Sequence, residues 1–298
     1  MKIIRPVEVT DAVFGSSTVS ESEAQRVNAT TYALDAVVRG DIAGTTHKLY
    51  LSLQAGNMGH AVTDPLWWVE KGPSNRWAMF DGSNSTDTTK ADSIEVVLNT
   101  TSRVDSVALL NISAASARVQ MTVPGEGVVF DQTFNLVSDS GIIDWWSYFF
   151  EPIGRKTDLV VTGLPPYASA AITVTLTDNG STVSIASLVI GLGKELGDTA
   201  MGASVGIQDY SRKEQNQFGD FILVERAFSK KATFTVWIPR GTTDEVQRLL
   251  ASYRAVPIVY VGSDEFGATV VFGFYRDFSI SIDYPTHSVC ALEIVGLT

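Results

Sequence analysis

Short runs in which apolar and polar residues alternate recur along the middle of the chain. A period of two is typical of strands that bury one face against a core. The triplet Asp178-Asn179-Gly180 predicts a tight hairpin, because Asn-Gly readily supplies positive φ angles. Helical periodicity is almost absent, so residues 75–202 are predicted to form a β-sandwich. Its strands are expected at residues 93–98, 104–110, 118–123, 127–130, 159–162, 172–176 and 184–190.

The last third of the chain has longer apolar runs and one amphipathic stretch. Residues 243–253 are predicted to form a helix, because acidic residues fill the first turn, where they interact favourably with the helix dipole. Pro257 prevents the helix from continuing further. Its apolar face consists of Val246, Leu249, Leu250 and Tyr253. Residues 203–298 are therefore predicted to be an α+β domain with a mostly antiparallel sheet. Its strands are expected at residues 221–227, 231–237, 258–261, 269–275, 278–284 and 288–295.

The N-terminal quarter divides into two further pieces. Residues 1–23 are interpreted as a strand and a linker, and Pro6 would confine that strand to a sheet edge. Residues 24–74 predict a small β module that ends with Trp67-Trp68. On a strand, the adjacent rings of this pair and of Trp145-Trp146 would point to opposite faces. The predicted fold class is thus mainly β, with one helix.

Composition narrows the classes of partner. The net charge is −11, which argues against nucleic acid, because phosphate binding depends on lysine and arginine. The single cysteine, Cys290, lies in an apolar run and is predicted to be buried. No apolar run approaches the length of a transmembrane helix, and the N-terminus lacks the apolar stretch of a signal peptide. We therefore expect a chain made in the cytoplasm with no membrane-spanning segment.

No residue set has the spacing of a catalytic site. The three histidines, His47, His60 and His287, are scattered, and no pair has the spacing of metal ligands. Residues 191–194 read Gly-Leu-Gly-Lys, but Glu195 follows where a phosphate loop needs serine or threonine. We therefore expect a protein that is not an enzyme, with no cofactor and no assigned metal ligands.

The small module resembles β modules that bind chitin and related polysaccharides. The resemblance rests on the spacing of Tyr32, Val37, Val38, Tyr50, Gly56, Pro65 and Trp68, and Asp35 stands where that family usually has glycine. It implies that Tyr50, Trp67 and Trp68 stack on sugar rings. The alternative is that the tryptophans are buried between modules.

Residues 75–202 resemble discoidin-like, galactose-binding jelly rolls. The resemblance rests on the Asp81-Gly82 turn with the polar run and two strands that follow, and on residues 148–152. In such folds the loop from Asp81 to Asp92 often holds a structural calcium ion. An ordinary Asp-Gly turn with solvated side chains is the alternative. Trp77, just before the turn, is expected to be buried in the sandwich.

The whole chain resembles structural proteins of long-tailed bacteriophage tail tips. The phrases that carry this likeness are GIQDYSRKEQNQFG, VERAFSKKATFTV and VFGFYRDFSISIDYPTHSVCALEIVGLT. The resemblance implies a place in the virion, symmetric assembly with its own copies and other tail proteins, and contact with host surface polysaccharide. Two alternatives stay open: a dedicated glycan-binding adhesin, and an accessory domain of a polysaccharide-degrading enzyme.

Overall fold

The computed structural model describes residues 1–138, 144–150, 154–215, 219–263, 266–282 and 284–297. It is mainly β, as the alternating pattern predicts, with large antiparallel sheets. The helices are α1 Trp145–Phe150 and α2 Thr243–Ser252. The strands are β1 Lys2–Pro6, β2 Phe14–Ser17, β3 Val37–Arg39, β4 Lys48–Ser52, β5 Trp68–Pro73, β6 Thr88–Thr100, β7 Ser106–Ser113, β8 Ser116–Val123, β9 Gly127–Asn135, β10 Val137–Ser138, β11 Gly154–Arg155, β12 Leu159–Thr162, β13 Ala170–Glu195, β14 Asp198–Thr199, β15 Ser204–Asp209, β16 Arg212–Gln215, β17 Phe221–Val224, β18 Phe228–Pro239, β19 Ile258–Val261, β20 Val270–Ser281 and β21 His287–Gly296.

One large sheet joins the predicted sandwich to the C-terminal part. Its main path runs β12-β7-β13-β1-β19-β20-β21-β18-β14, and paired neighbours are antiparallel. The long strand β13 also pairs with β6 and β8, through which β2 and β9 join the sandwich. β13 is therefore the strand around which the sandwich is organised.

The N-terminal strand is not an edge strand, so this expectation is wrong. β1 lies between β13 and β19, with Ile3 opposite Lys194 on one side and Tyr260 on the other. Pro6 is the last residue of β1, and the backbone N–H of Val7 donates to the carbonyl of Ile190 directly after it. A proline at a strand end removes one donor without breaking an interior ladder. β1 thus ties the sandwich to the C-terminal strands.

The Asn-Gly pair does not form the predicted hairpin. The chain on both sides of it belongs to β13 and pairs with the same strand, β6, with a register shift between Thr177 and Thr182. Gly180 does have a positive φ of 79°, and its N–H donates to the Asp92 carboxylate over 2.8 Å. The left-handed conformation therefore serves a bulge, which lets the ladder resume with shifted register.

Side chains on the two faces of the central strands enter different cores. Ile3 packs with the C-terminal core that includes Tyr260 and α2, whereas Ile4 packs on the opposite face with Val259 and Phe272. This second core also contains Ala108 and Leu110 of β7, while Val107 and Leu109 face the interior of the sandwich. Because successive side chains of a strand alternate between faces, one sheet can serve three cores.

The helices differ in their relation to these cores. α2 begins at the predicted residue and buries Val246 and Leu250 against the C-terminal sheet. Trp145 and Trp146 lie in α1 rather than on a strand, so the strand-based expectation for this pair is wrong, and both rings are exposed. Within the described residues, no helix has the length and apolarity needed to cross a membrane.

Candidate functional site

The small module is a three-stranded sheet, β3-β4-β5, with its own core. Tyr50 and Trp68 are buried in that core together with Val38 and Val62. The indole N–H of Trp68 donates to the carbonyl of His60 over 3.1 Å, and Tyr32 meets the ring edge to face at 5.5 Å. Tyr50 and Trp68 therefore stabilise the module, and their rings offer no free face to a sugar.

Trp67 is the one proposed stacking residue that keeps an exposed part. Its ring stacks on His60, with centroids 3.8 Å apart and planes inclined by 8°. One indole face is thus occupied by the imidazole. A single half-buried ring is a smaller surface than the three-ring platform that the resemblance implies.

Asp35 occupies a position that suits glycine. Its φ is +64°, in the left-handed region, and its N–H donates to the carbonyl of Ser52 over 2.9 Å. Aspartate tolerates this conformation better than most residues with a Cβ atom. Asp35 therefore holds this backbone conformation without the need for a glycine.

Trp77 forms a joint between the small module and the sandwich. It is 7% exposed, stacks on His47 of the module at 3.5 Å and packs against Phe14 at 4.9 Å. His47 Nε2 lies 3.1 Å from Asp11 Oδ1, on the sandwich side of the joint. The expected burial of Trp77 is confirmed, and the ring also anchors the module.

The loop after Trp77 is closed by its own hydrogen bonds. One carboxylate oxygen of Asp81 accepts from the Ser83 N–H at 2.7 Å, and the other accepts from the Thr86 hydroxyl. Asp92 binds Gly180 instead. In the part of the chain that the structure describes, no three acidic, histidine or cysteine side chains are grouped so that they could hold a metal ion. These contacts are those of an ordinary Asp-Gly turn.

A two-stranded arm, described at residues 204–215 and 219–228, projects from the C-terminal sheet. Its base is the pairing of β15 with the start of β18, and its distal part is the β16–β17 hairpin. β18 pairs with β21 only from Lys231 onward, and among the described residues β16 and β17 pair only with each other. Every residue of β15, β16 and β17 is exposed.

The arm exposes apolar side chains that a water-exposed hairpin does not need. β17 reads Phe-Ile-Leu-Val, and Phe221 and Leu223 are 71% and 70% exposed. An uninterrupted apolar run is typical of a strand covered on both faces. Its partner β16 is polar. Lys213 of β16 donates a hydrogen bond to Asp209 at the end of β15, which holds the pKa of that carboxyl well below its usual range. The sequence predicted a strand here but gave no sign that it would stand clear of the core.

Comparisons of the chain with family models, with curated proteins and with solved structures found no match.

Proposed function

We propose that this chain is a non-enzymatic structural component that assembles with copies of itself through the arm, as part of a bacteriophage tail tip. The exposed apolar strand β17 carries the proposal for assembly. The resemblance of residues 203–298 to tail-tip proteins supports the place in the particle.

The physical case for a partner on the arm rests on two costs. An isolated two-stranded hairpin is only marginally stable in water, and in the described part of the chain no third strand pairs with β16 or β17. Contiguous exposed apolar side chains are also uncommon on monomers and typically mark interaction surfaces. A neighbouring copy that covers β17 removes both costs, since it can pair with the free strand edge and bury the apolar faces.

The assembly is tested on the full chain by light scattering coupled to size exclusion. Phe221 and Leu223 each contribute about 1.5–3 kcal/mol when a partner buries them. The double variant Phe221→Ser/Leu223→Ser should therefore raise the dissociation constant by roughly a hundredfold or more. Leu66→Ser, which changes an equally exposed leucine in the small module, should leave association unchanged. A wild-type chain that stays monomeric at high concentration would contradict the proposal.

The tail-tip location has a separate test. Antibodies raised against the full chain should label one end of the tail when applied to purified phage particles. Labelling that is absent, or spread over the head, would remove the phage part of the proposal and leave self-assembly to stand on the arm.

A further inference from the structure

A cleft of about 410 Å³ opens between the sandwich and the root of the arm. Its floor belongs to the core around Ile4 and contains Leu110, Val270, Phe272 and Leu297. Its rim carries Asn84, Ser85, Asn111, Thr157, Asp158 and Lys230. Pockets for small ligands span about 300–1,000 Å³ and combine an apolar lining with a few fixed polar groups. The cleft has this size and this combination.

An ion pair fixes the charged part of the rim. Lys230 Nζ lies 2.5 Å from Asp158 Oδ2, and the Asp158 side chain is only 6% exposed. The Thr157 hydroxyl donates to the same oxygen over 3.0 Å, and the backbone N–H of Asn111 donates to Oδ1 over 3.3 Å. The two charges cancel, so the rim presents directional polar groups with no net charge.

Asn111 is held at the rim by a distortion of β7. Its φ is +50°, although the register of β7 and β13 is the same on both sides of it, with Leu110 opposite Ser187 and Ile112 opposite Ile185. The side-chain amide donates to the carbonyl of Asn84 over 3.3 Å. Residues with a Cβ atom are uncommon in the left-handed region and are often found at functional sites. The carbonyl oxygen of the Asn111 side chain has no partner in the described ranges and can accept from a ligand.

Lys230 and Phe228 complete the set of groups available to a ligand. An ammonium group has three donors, and Asp158 is the one acceptor that Lys230 meets among the described residues. Phe228 lines the cleft and is 54% exposed, at the first position of β18. The cleft thus offers donors, an acceptor and an aromatic ring.

We propose that this cleft binds one uncharged sugar unit, with its C–H face on Phe228 and its hydroxyls on Lys230 and Asn111. A charged ligand is disfavoured because the rim has no net charge to balance it. A purely apolar ligand is also disfavoured, because it would strip water from Lys230 and Asn111 without replacing the hydrogen bonds. The site differs from Tyr50, Trp67 and Trp68 of the small module, and it does not depend on assembly through the arm.

The test is methyl-resolved NMR on the full chain, titrated with methyl glycosides of glucose, galactose and N-acetylglucosamine up to about 50 mM, which covers weak binding. At least one of them should shift the methyl signals of Leu110 and Val270. Phe228→Ala should weaken that binding about tenfold, since the ring face loses its contact. Phe228→Trp should retain or tighten it.

Two controls distinguish binding of a neutral sugar in the cleft from binding elsewhere on the chain and from binding of a charged ligand. Phe221→Ala changes a more exposed phenylalanine on the arm and should leave sugar binding unchanged. Glucuronate, the charged counterpart of glucose, should bind at least tenfold more weakly than the neutral probe. The proposal is overturned if no probe shifts the cleft methyls, if shifts occur only near Trp67, or if glucuronate binds equally well.

Discussion

Replacing Trp77 by alanine should destabilise the chain more than any exposed aromatic substitution. The ring is 7% exposed and contacts His47, Phe14 and Phe80 at centroid distances of 3.5, 4.9 and 5.7 Å. Truncation of a buried tryptophan to alanine costs about 3–5 kcal/mol, because the transfer free energy is lost and a cavity remains. Three ring contacts from two parts of the chain place Trp77 within that range.

The assay is thermal unfolding of the full chain, followed by calorimetry and circular dichroism. At about 2–4 °C per kcal/mol for a chain of this size class, the melting temperature should fall by roughly 6–20 °C. Trp145→Ala is the matched control, because that ring is 78% exposed and its loss should change stability by no more than about 0.5 kcal/mol. An unchanged melting temperature for Trp77→Ala would refute the assignment of this ring as the joint.

Further outcomes follow from the backbone and from burial. Gly191→Ala should destabilise the chain by several kcal/mol in urea unfolding, because the new Cβ would lie 2.0 Å from the carbonyl oxygen of Arg5 in β1; Gly241→Ala meets no atom within 4 Å and should be nearly neutral. Burial raises the pKa of the Cys290 thiol to about 11, so a thiol reagent at pH 8 should modify the folded chain far more slowly than the urea-unfolded chain. The thiol of the unfolded chain has a pKa of about 8.5. Burial of the neutral Cys290 thiol therefore stabilises the folded chain fully below that pH, and this stabilisation is lost as the pH rises towards 11. Cys290→Ala should remove this pH dependence.

The sequence predicted correctly those strands and helices that are determined by residues adjacent in the chain. β12 and β19 begin and end at the predicted residues, and α2 begins at Thr243, because short apolar runs and the amphipathic stripe are properties of neighbours in sequence. The position of β1 depends instead on strands nearly two hundred residues away, which no local pattern contains. The same limit applies to Gly180, whose positive φ is equally suited to a turn and to a bulge.

The candidate sites show the same division. The sequence marked aromatic residues in the small module, but it could not distinguish Tyr50 and Trp68, which fill the core, from Trp67, which is half exposed. The cleft was not predicted at all, because its rim joins residues 84, 111, 158 and 230, which are far apart in sequence and meet only in the folded chain. An apolar run such as β17 predicts a strand whether that strand is buried in a core or exposed on the surface. Only the exposure of β17 in the structure indicates a partner.

The position of β1 also determines how association through the arm must be measured. A fragment that begins at residue 203 would lack β1 and would leave the backbone groups of β19 that face Lys2–Ile4 without a partner. It would also lose Met1 and Ile3 from the core that packs against α2. Because an unpaired apolar strand edge is itself a template for aggregation, such a fragment would associate whether or not the arm does. Only the full chain, with β1 in place and the arm altered at Phe221 and Leu223, separates assembly through the arm from the exposure of an interior strand.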